Sequence, residues 1–428
     1  MSGKTLAVLL GCFLVSGCES NETATVDMAA ADGAAQDMSR ADHRAPDAAA
    51  ADSVTMDVAM ADTAVDDHGL AMDAASVDTA QPMDAGSPDS PAAAPDSAPP
   101  ALSGCIKGTF KTYFGNLHSH SSYSDGKKTP KDAFQHARDV AKLDILAVTD
   151  HLEQLYLPIP LDRYGKCKSQ ASAETKAGKF LATCGFEYGS AFTSSLSSAG
   201  HANVFFSSKL LPAVQVNFLD FYKSLAACKT CIGQFNHPGD KKDQHFNKFK
   251  YNAAADSRIN LFEFNSTPAW SLFFTALDAG WHLSPVYNQD NHSADWGTKN
   301  ANRSGLLMTA LDLQSMSQAM SQRRTFMTED KNASITMMAG SCWMGSIIKG
   351  AASQTLTVKA VDADSTESFS AIELLGKGQK LLATVSCTAS NSCTASFKVT
   401  ASQSPYFVAR AKQTDGNLLV SAPIWISP

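Results

Sequence analysis

The rhythm of apolar and polar positions changes three times along this chain, and each change predicts a boundary. A single apolar run over residues 6–15, too short to span a bilayer as a permanent helix, gives way to a long stretch with no period of 3.6 or 2. From residue 105 the pattern becomes short, continuous apolar runs, each leading into polar residues. Such runs mark strands buried on both faces, and helical segments between them complete an alternating α/β frame. Residues 144–148, 181–186, 232–235 and 284–287 are the clearest, and Thr129-Pro130 opens a predicted helix through Arg138, with Thr129 as N-cap and Pro130 at its first turn. Past residue 328 only strands are predicted, at 355–361, 370–375, 395–400, 406–411 and 418–426, separated by Gly, Ser, Asn and Asp turns. That segment, 329–428, reads as a small all-β sandwich.

Composition sharpens the first two pieces. Residues 1–17, with Lys4 before the apolar run, read as a signal peptide, and Val15-Ser16-Gly17-Cys18 resembles a bacterial lipobox. The expectation is an exported lipoprotein held to a membrane through lipid on Cys18, periplasmic or at the outer-membrane or cell surface. Residues 18–104 are Ala, Asp, Ser, Met and Pro, with Asp27, Asp32, Asp37, Asp42, Asp47, Asp52, Asp57 and Asp62 recurring every fifth position. They form a disordered, self-repelling tether. Its 17 acidic residues face only Arg40 and Arg44, so with the chain at −7 overall the part beyond residue 104 is near +7. A mildly basic body suits anionic substrates but lacks the dense basic stripe of a duplex binder. Setting aside Cys12 and Cys18, eight of ten cysteines remain, an even number that suits disulfides in an exported protein. The Cys228-Lys-Thr-Cys231 spacing admits a redox or zinc-knuckle role. A local disulfide is favoured there, as between Cys387 and Cys393.

The chemistry concentrates between Phe114 and Trp296. Gly115-Asn116-Leu117-His118-Ser119-His120 follows an apolar run, and residues two apart in a strand point the same way, so both imidazoles can reach one ion. Asp125 follows in a Ser-Asp-Gly turn, and the run at 144–148 ends in Thr149-Asp150-His151. Glu187, His201, the Asn236-His237-Pro238 triplet, and Asp290 with His292 complete a set of six histidines and three carboxylates. Nitrogen plus carboxylate ligation suits zinc, manganese or iron, and a shared carboxylate lets two ions sit close together. Asp150 and Asp295 are expected to orient ligands rather than bind metal. Arg303 is equally consistent with a phosphate clamp and with a surface salt bridge. His43, His68, His136, His245 and His282 are expected to play no part.

In this order, HxH…D, TDH, GxE, a later His, NHP and a closing DxH resemble the PHP (polymerase and histidinol phosphatase) family over about residues 113–328. The segments Asp290-Asn291-His292-Ser293-Ala294-Asp295-Trp296-Gly297 and Arg323-Arg324-Thr325-Phe326-Met327-Thr328-Glu329-Asp330 resemble its carbaryl hydrolase-like subgroup. The resemblance implies a distorted (β/α)7 barrel over 105–328 and two or three divalent ions. One ion would lie on His118, His120, Glu187 and Asp290, a second on Glu187, His201 and His237, and a third on Asp125, His151 and His292. His201 could instead sit behind the ligands, because it opens its strand.

Two or three close cations would generate hydroxide near neutral pH without a side-chain nucleophile, with Asp125 or His151 protonating the leaving group. A phosphoesterase acting on small phosphate esters, nucleotides or single-stranded nucleic-acid ends is the first expectation. A carbamate or carboxylic ester hydrolase is the second, and a non-catalytic surface-binding module the third. No protein partner is evident from the sequence. The β segment holds no histidine and reads as free of clustered acids, so it is expected to cover the barrel rather than to catalyse.

Overall fold

The computed structural model describes residues 104–156, 162–189, 200–212, 218–239, 246–265, 268–350 and 353–428. The signal segment, the tether, Cys18, His43, His68 and His245 lie outside these residues.

Among the described residues, ten strands precede residue 329: β1 (Lys111–Asn116), β2 (Ile145–Val148), β3 (Leu181–Cys184), β4 (Phe186–Tyr188), β5 (Ala202–Phe205), β6 (Ile232–Phe235), β7 (Ile259–Phe264), β8 (Ser284–Tyr287), β9 (Arg303–Met308) and β10 (Thr325–Thr328). All four residues of β2 are buried, as its unbroken apolar sequence requires, and it pairs in parallel with β1 on one side and β3 on the other. The helix before it runs Pro130–Asp139. Its Thr129 cap and Asp132 form a reciprocal capping box.

Strict strand–helix alternation fails after β3. Gly185 alone separates β3 from β4, β5 runs antiparallel to both β4 and β6, and parallel pairing resumes through β7 and β8. Two isolated parallel bridges, His151 to Glu187 and Ser119 to Asn291, tie the β1–β3 group to the β4–β8 sheet at its two edges. Leu117, Ile145, Ala147, Leu181, Phe205, Ile232, Leu261, Val286 and Leu306 pack into one cluster together with Met316, Ala319 and Met320 of the helix Leu313–Ser321. Alternate residues such as Leu146, Val148, Ala182, Val204 and Phe262 face the other way, onto Phe134, Tyr164, Phe221 and Phe273 of the flanking helices. The strand period of two thus sorts one inner and one outer apolar layer.

Ten more strands follow among the described residues: β11 (Ser334–Ala339), β12 (Cys342–Trp343), β13 (Ile347–Lys349), β14 (Ser353–Val361), β15 (Phe369–Gly376), β16 (Lys380–Ser390), β17 (Ser392–Thr400), β18 (Tyr406–Gln413), β19 (Leu418–Ser421) and β20 (Ile424–Ser427). Strands β12, β11, β14 and β17 form a separate antiparallel sheet, while β10 pairs with both β9 and β19. The sheet therefore runs without a break across residue 328. Ile335, Met337, Leu356, Val358 and Phe397 pack against Ile372, Leu374, Phe407 and Ala409 in a second cluster. The strand expected at 418–426 is interrupted at Pro423, which has no N–H to give to a ladder. Cys105–Cys342, Cys167–Cys184, Cys228–Cys231 and Cys387–Cys393 are disulfides. No helix among the described residues is long and apolar enough to cross a membrane.

Candidate metal centre

Glu187, in the middle of β4 and only 1% exposed, is the geometric centre of the ligand candidates. Its Oε1 lies 3.4 Å from His118 Nε2, 3.2 Å from His201 Nδ1 and 3.2 Å from His237 Nε2. Its Oε2 lies 3.3 Å from His120 Nε2 and 3.1 Å from His151 Nδ1. Asp290 Oδ1 is 3.3 Å from His118 Nε2 and 3.2 Å from His120 Nε2. At the open side, Asp125 is 3.2 Å from His292 Nε2 and 3.5 Å from His151 Nε2. All nine sequence-identified residues therefore share one locality. Eight of them, all but Asp290, resolve into three overlapping groups whose ligand atoms lie within 4.8 Å of one another: His118, His120 and Glu187; Glu187, His201 and His237; and His120, Asp125, His151 and His292.

The direction of β5 explains His201. Because β5 is antiparallel to its neighbours, its first residues lie beside the last residues of β6, and Asn236 N donates to His201 O at 3.0 Å. A strand-opening histidine thus reaches the same rim as strand-closing ones. Two candidates, His237 (φ 31°) and Asp290 (φ 45°), hold left-handed backbone, a strain that surrounding packing must sustain.

The surrounding groups fix which nitrogen of each imidazole faces inward. His118 Nδ1 meets both oxygens of Glu263, at 3.0 and 3.2 Å, so it donates there and leaves a lone pair on Nε2. His120 Nδ1 lies 3.2 Å from Ser124 Oγ, whose own proton goes to Asp150 at 2.6 Å, so the neutral form of His120, like that of His118, carries its lone pair on Nε2. Yet these two Nε2 atoms are 3.2 Å apart, and Asp290 Oδ1, buried beside them, meets no donor. Ligand atoms on a tetrahedral ion at ~2.0–2.1 Å are spaced by roughly 3.3 Å, so the set fits a divalent cation. Burial opposes protonation of His118 and His120, but Glu263, Asp290 and Glu187 outweigh it. His118 is raised well above its usual value and His120 to about 9. Burial likewise opposes ionisation of Glu187, and His118 and His201 reverse that, holding it well below the carboxylate range. The hydrogen bond from His151 does the same for Asp125.

Three groups escaped the sequence reading. Glu263 is fully buried within β7 and also accepts from His237 N at 2.7 Å. Asn236 donates to Glu187 Oε1 at 2.8 Å, and Ser124 relays Asp150 to His120. A lone carboxylate inside the run Ile259–Phe264 was the available signal for Glu263. Asp295 holds Asn291 Nδ2 at 2.6 Å and so shapes the loop rather than a histidine. Arg303 is a correction: it is buried, and its guanidinium donates to the carbonyls of Gly297, Asn300 and Asn302. It braces the 290–303 loop, and no contact with the nine candidates is seen among the described residues. Arg323 and Arg324 are buried too, the latter donating to Leu307 O. His136 meets Thr298 and His282 pairs with Asp256, both away from the cluster.

No family model and no curated protein matches the chain. Among solved structures it is similar to a two-domain protein from Bacteroides vulgatus described as containing a predicted PHP-like metal-dependent phosphoesterase. The two share 18% identity over 69% of this chain and 89% of that one, with a TM-score of 0.42. It is also similar to a lesion-specific endonuclease from Pyrococcus furiosus, at 14% identity over 49% of this chain and 56% of the other, with a TM-score of 0.35.

Proposed function

We propose that this chain is a PHP-type metal-dependent hydrolase, with phosphate esters as its leading substrates and residues 105–328 closing as a distorted barrel beside a β-sandwich. The observation that supports this is Glu187, one buried carboxylate within 3.1–3.4 Å of a nitrogen on each of five histidines. When bound, two or three divalent ions of the zinc, manganese or iron type would lower the pKa of a shared water and neutralise charge on the electrophile. Glu263, Ser124 with Asp150, and Asn236 hold His118, His120 and Glu187 in place for that task. Asp125 stands at the mouth, 46% exposed, and is kept ionised by His151. Of that pair the imidazole is therefore the group able to carry a proton to a leaving oxygen. A signal peptide, lipid on Cys18 and an acidic tether would place this head at a membrane surface outside the cytoplasm.

The test is the purified full chain loaded with zinc or manganese and assayed on aryl phosphate monoesters, phosphodiesters, single-stranded oligonucleotides, and aryl carbamates or esters. Phosphoester turnover should lead, and a carbamate rate far above every phosphate rate would reverse the assignment. His118→Ala and Glu187→Ala should each abolish turnover with the circular dichroism spectrum retained. Full turnover in both would reject the centre.

A further inference from the structure

Four consecutive residues that are not glycine, Phe246, Asn247, Lys248 and Phe249, hold φ between 48° and 55°, with ψ of 41° and 35° at the middle two. They make one turn of left-handed helix. That conformation presses Cβ against the following carbonyl, and residues other than glycine visit it singly rather than in runs. Burial holds the turn in place: Phe246 and Phe249 are 1% and 0% exposed, while Asn247 and Lys248 between them are exposed. Trp281 Nε1 donates to Phe249 O at 2.9 Å, and Lys250 N donates to Asn247 O at 3.2 Å. Strain of this kind persists only where the surroundings over-determine it, and it gathers at functional sites.

The Phe246 ring is what the turn delivers. Its edge lies on Gly200, where a Cβ would come 2.2–2.5 Å from three ring atoms, and Gly200 immediately precedes His201. The same ring packs on Phe235 with centroids 4.7 Å apart, two residues before His237. Phe218 and Phe249 pin it from other sides, at 5.6 and 5.4 Å. One side chain therefore braces both segments that bring nitrogen to Glu187 Oε1 in the Glu187, His201 and His237 group. Ligands of the other groups sit elsewhere, after β1, β2 and β8. His201 needs such a brace because it precedes β5, so the ladder steadies it from one side only. We propose that the left-handed turn is a positioning device for this one group, with Phe246 as the residue that aims His201 and His237. The proposal rests on reading the Glu187 cluster as a metal centre, and it adds how one of the three groups is held.

The experiment measures zinc affinity by chelator competition on the full chain, with bound zinc counted per chain. Phe246→Ala should weaken one class of site about 10–100-fold, the range typical when support behind a metal ligand is lost, and leave the others unchanged. Phe246→Leu, which refills most of the space, should recover most of that loss. In a His201→Ala background, Phe246→Ala should change no remaining affinity, because the group it aims is already gone. Lys248 is exposed, so its variants report on the backbone. Lys248→Gly, at ease with positive φ, should raise Tm and keep every affinity, whereas Lys248→Pro, fixed near about −65°, should reproduce Phe246→Ala. If Phe246→Ala fails to fold, the two Lys248 variants decide. Equal weakening of every class by Phe246→Ala, a comparable further loss in the His201→Ala background, or wild-type affinities in Lys248→Pro would overturn the proposal. A wild-type chain that takes up no zinc would overturn the metal-centre reading itself, and this proposal with it.

Discussion

A neutral imidazole has one N–H and one lone pair, and its neighbours decide which nitrogen keeps the proton. For His118 the neighbour is Glu263, which also accepts from the backbone of His237 and so serves two ligand groups at once. Glu263→Gln should weaken metal binding about 10–100-fold, as loss of such a partner generally does, and competition with a chelating dye measures it. An unchanged affinity would show that His118 needs no support from β7. Protonation gives a second test at this scale. His120 is held at about 9 in the fold against ~6.5 in an unfolded chain, so its stabilising contribution is complete below ~6.5 and lost as pH rises toward 9. Metal-stripped protein should therefore melt at lower temperature at pH 9 than at pH 6.5, while its zinc affinity rises over the same interval because protons no longer compete. Melting curves in chelator across that range check the first half. A flat Tm would mean that His120 is neutral throughout.

At the scale of elements, the centre depends on how short loops return side chains to one rim. Gly126 follows Asp125, and a Cβ there would come 2.6 Å from His120 C and 2.7 Å from His120 O. Because these are backbone atoms, Gly126→Ala must push the turn outward, costing roughly 1–3 kcal/mol and carrying Asp125 away from His292. Metal analysis should then show the outermost group depleted while the two groups on Glu187 remain filled. Thr129→Ala removes one half of the capping box and should lower stability by about 1 kcal/mol in a urea titration. Much of this level was legible in the sequence. The HxH pair, the apolar strand 144–148 and the Thr-Pro helix start all follow from period and capping chemistry. The reversal of β5 was not, because direction is set by long-range pairing with β4 and β6 rather than by any local pattern. Strand β11 was missed as well: Ile335, Met337 and Ala339 face inward, but Met and Ala carry little strand preference. The meeting of Asp330, Asp362 and Glu367, a carboxylate oxygen of each within 4.8 Å of the other two, was hidden for a similar reason, since up to 37 positions separate them in sequence.

Across the whole molecule, the Cys105–Cys342 disulfide links residues 237 positions apart. In the loop-closure picture a link of that span restrains the unfolded chain by about 5 kcal/mol, although strain and residual structure commonly reduce the observed value. Cys105→Ser with Cys342→Ser should lower Tm by several degrees without changing metal content, and a thermal melt of the double variant reads it directly. No difference from wild type would mean that the surrounding strands already hold this end. Near the same place, Ile347 N donates to Gly104 O and Trp343 N to Ile106 O, so the chain's first described residues are stitched to β12 and β13 and to none of the nine ligand candidates. A pull applied through residue 104 would therefore load a covalent clasp and a pair of short strands before it reached His118 or His120.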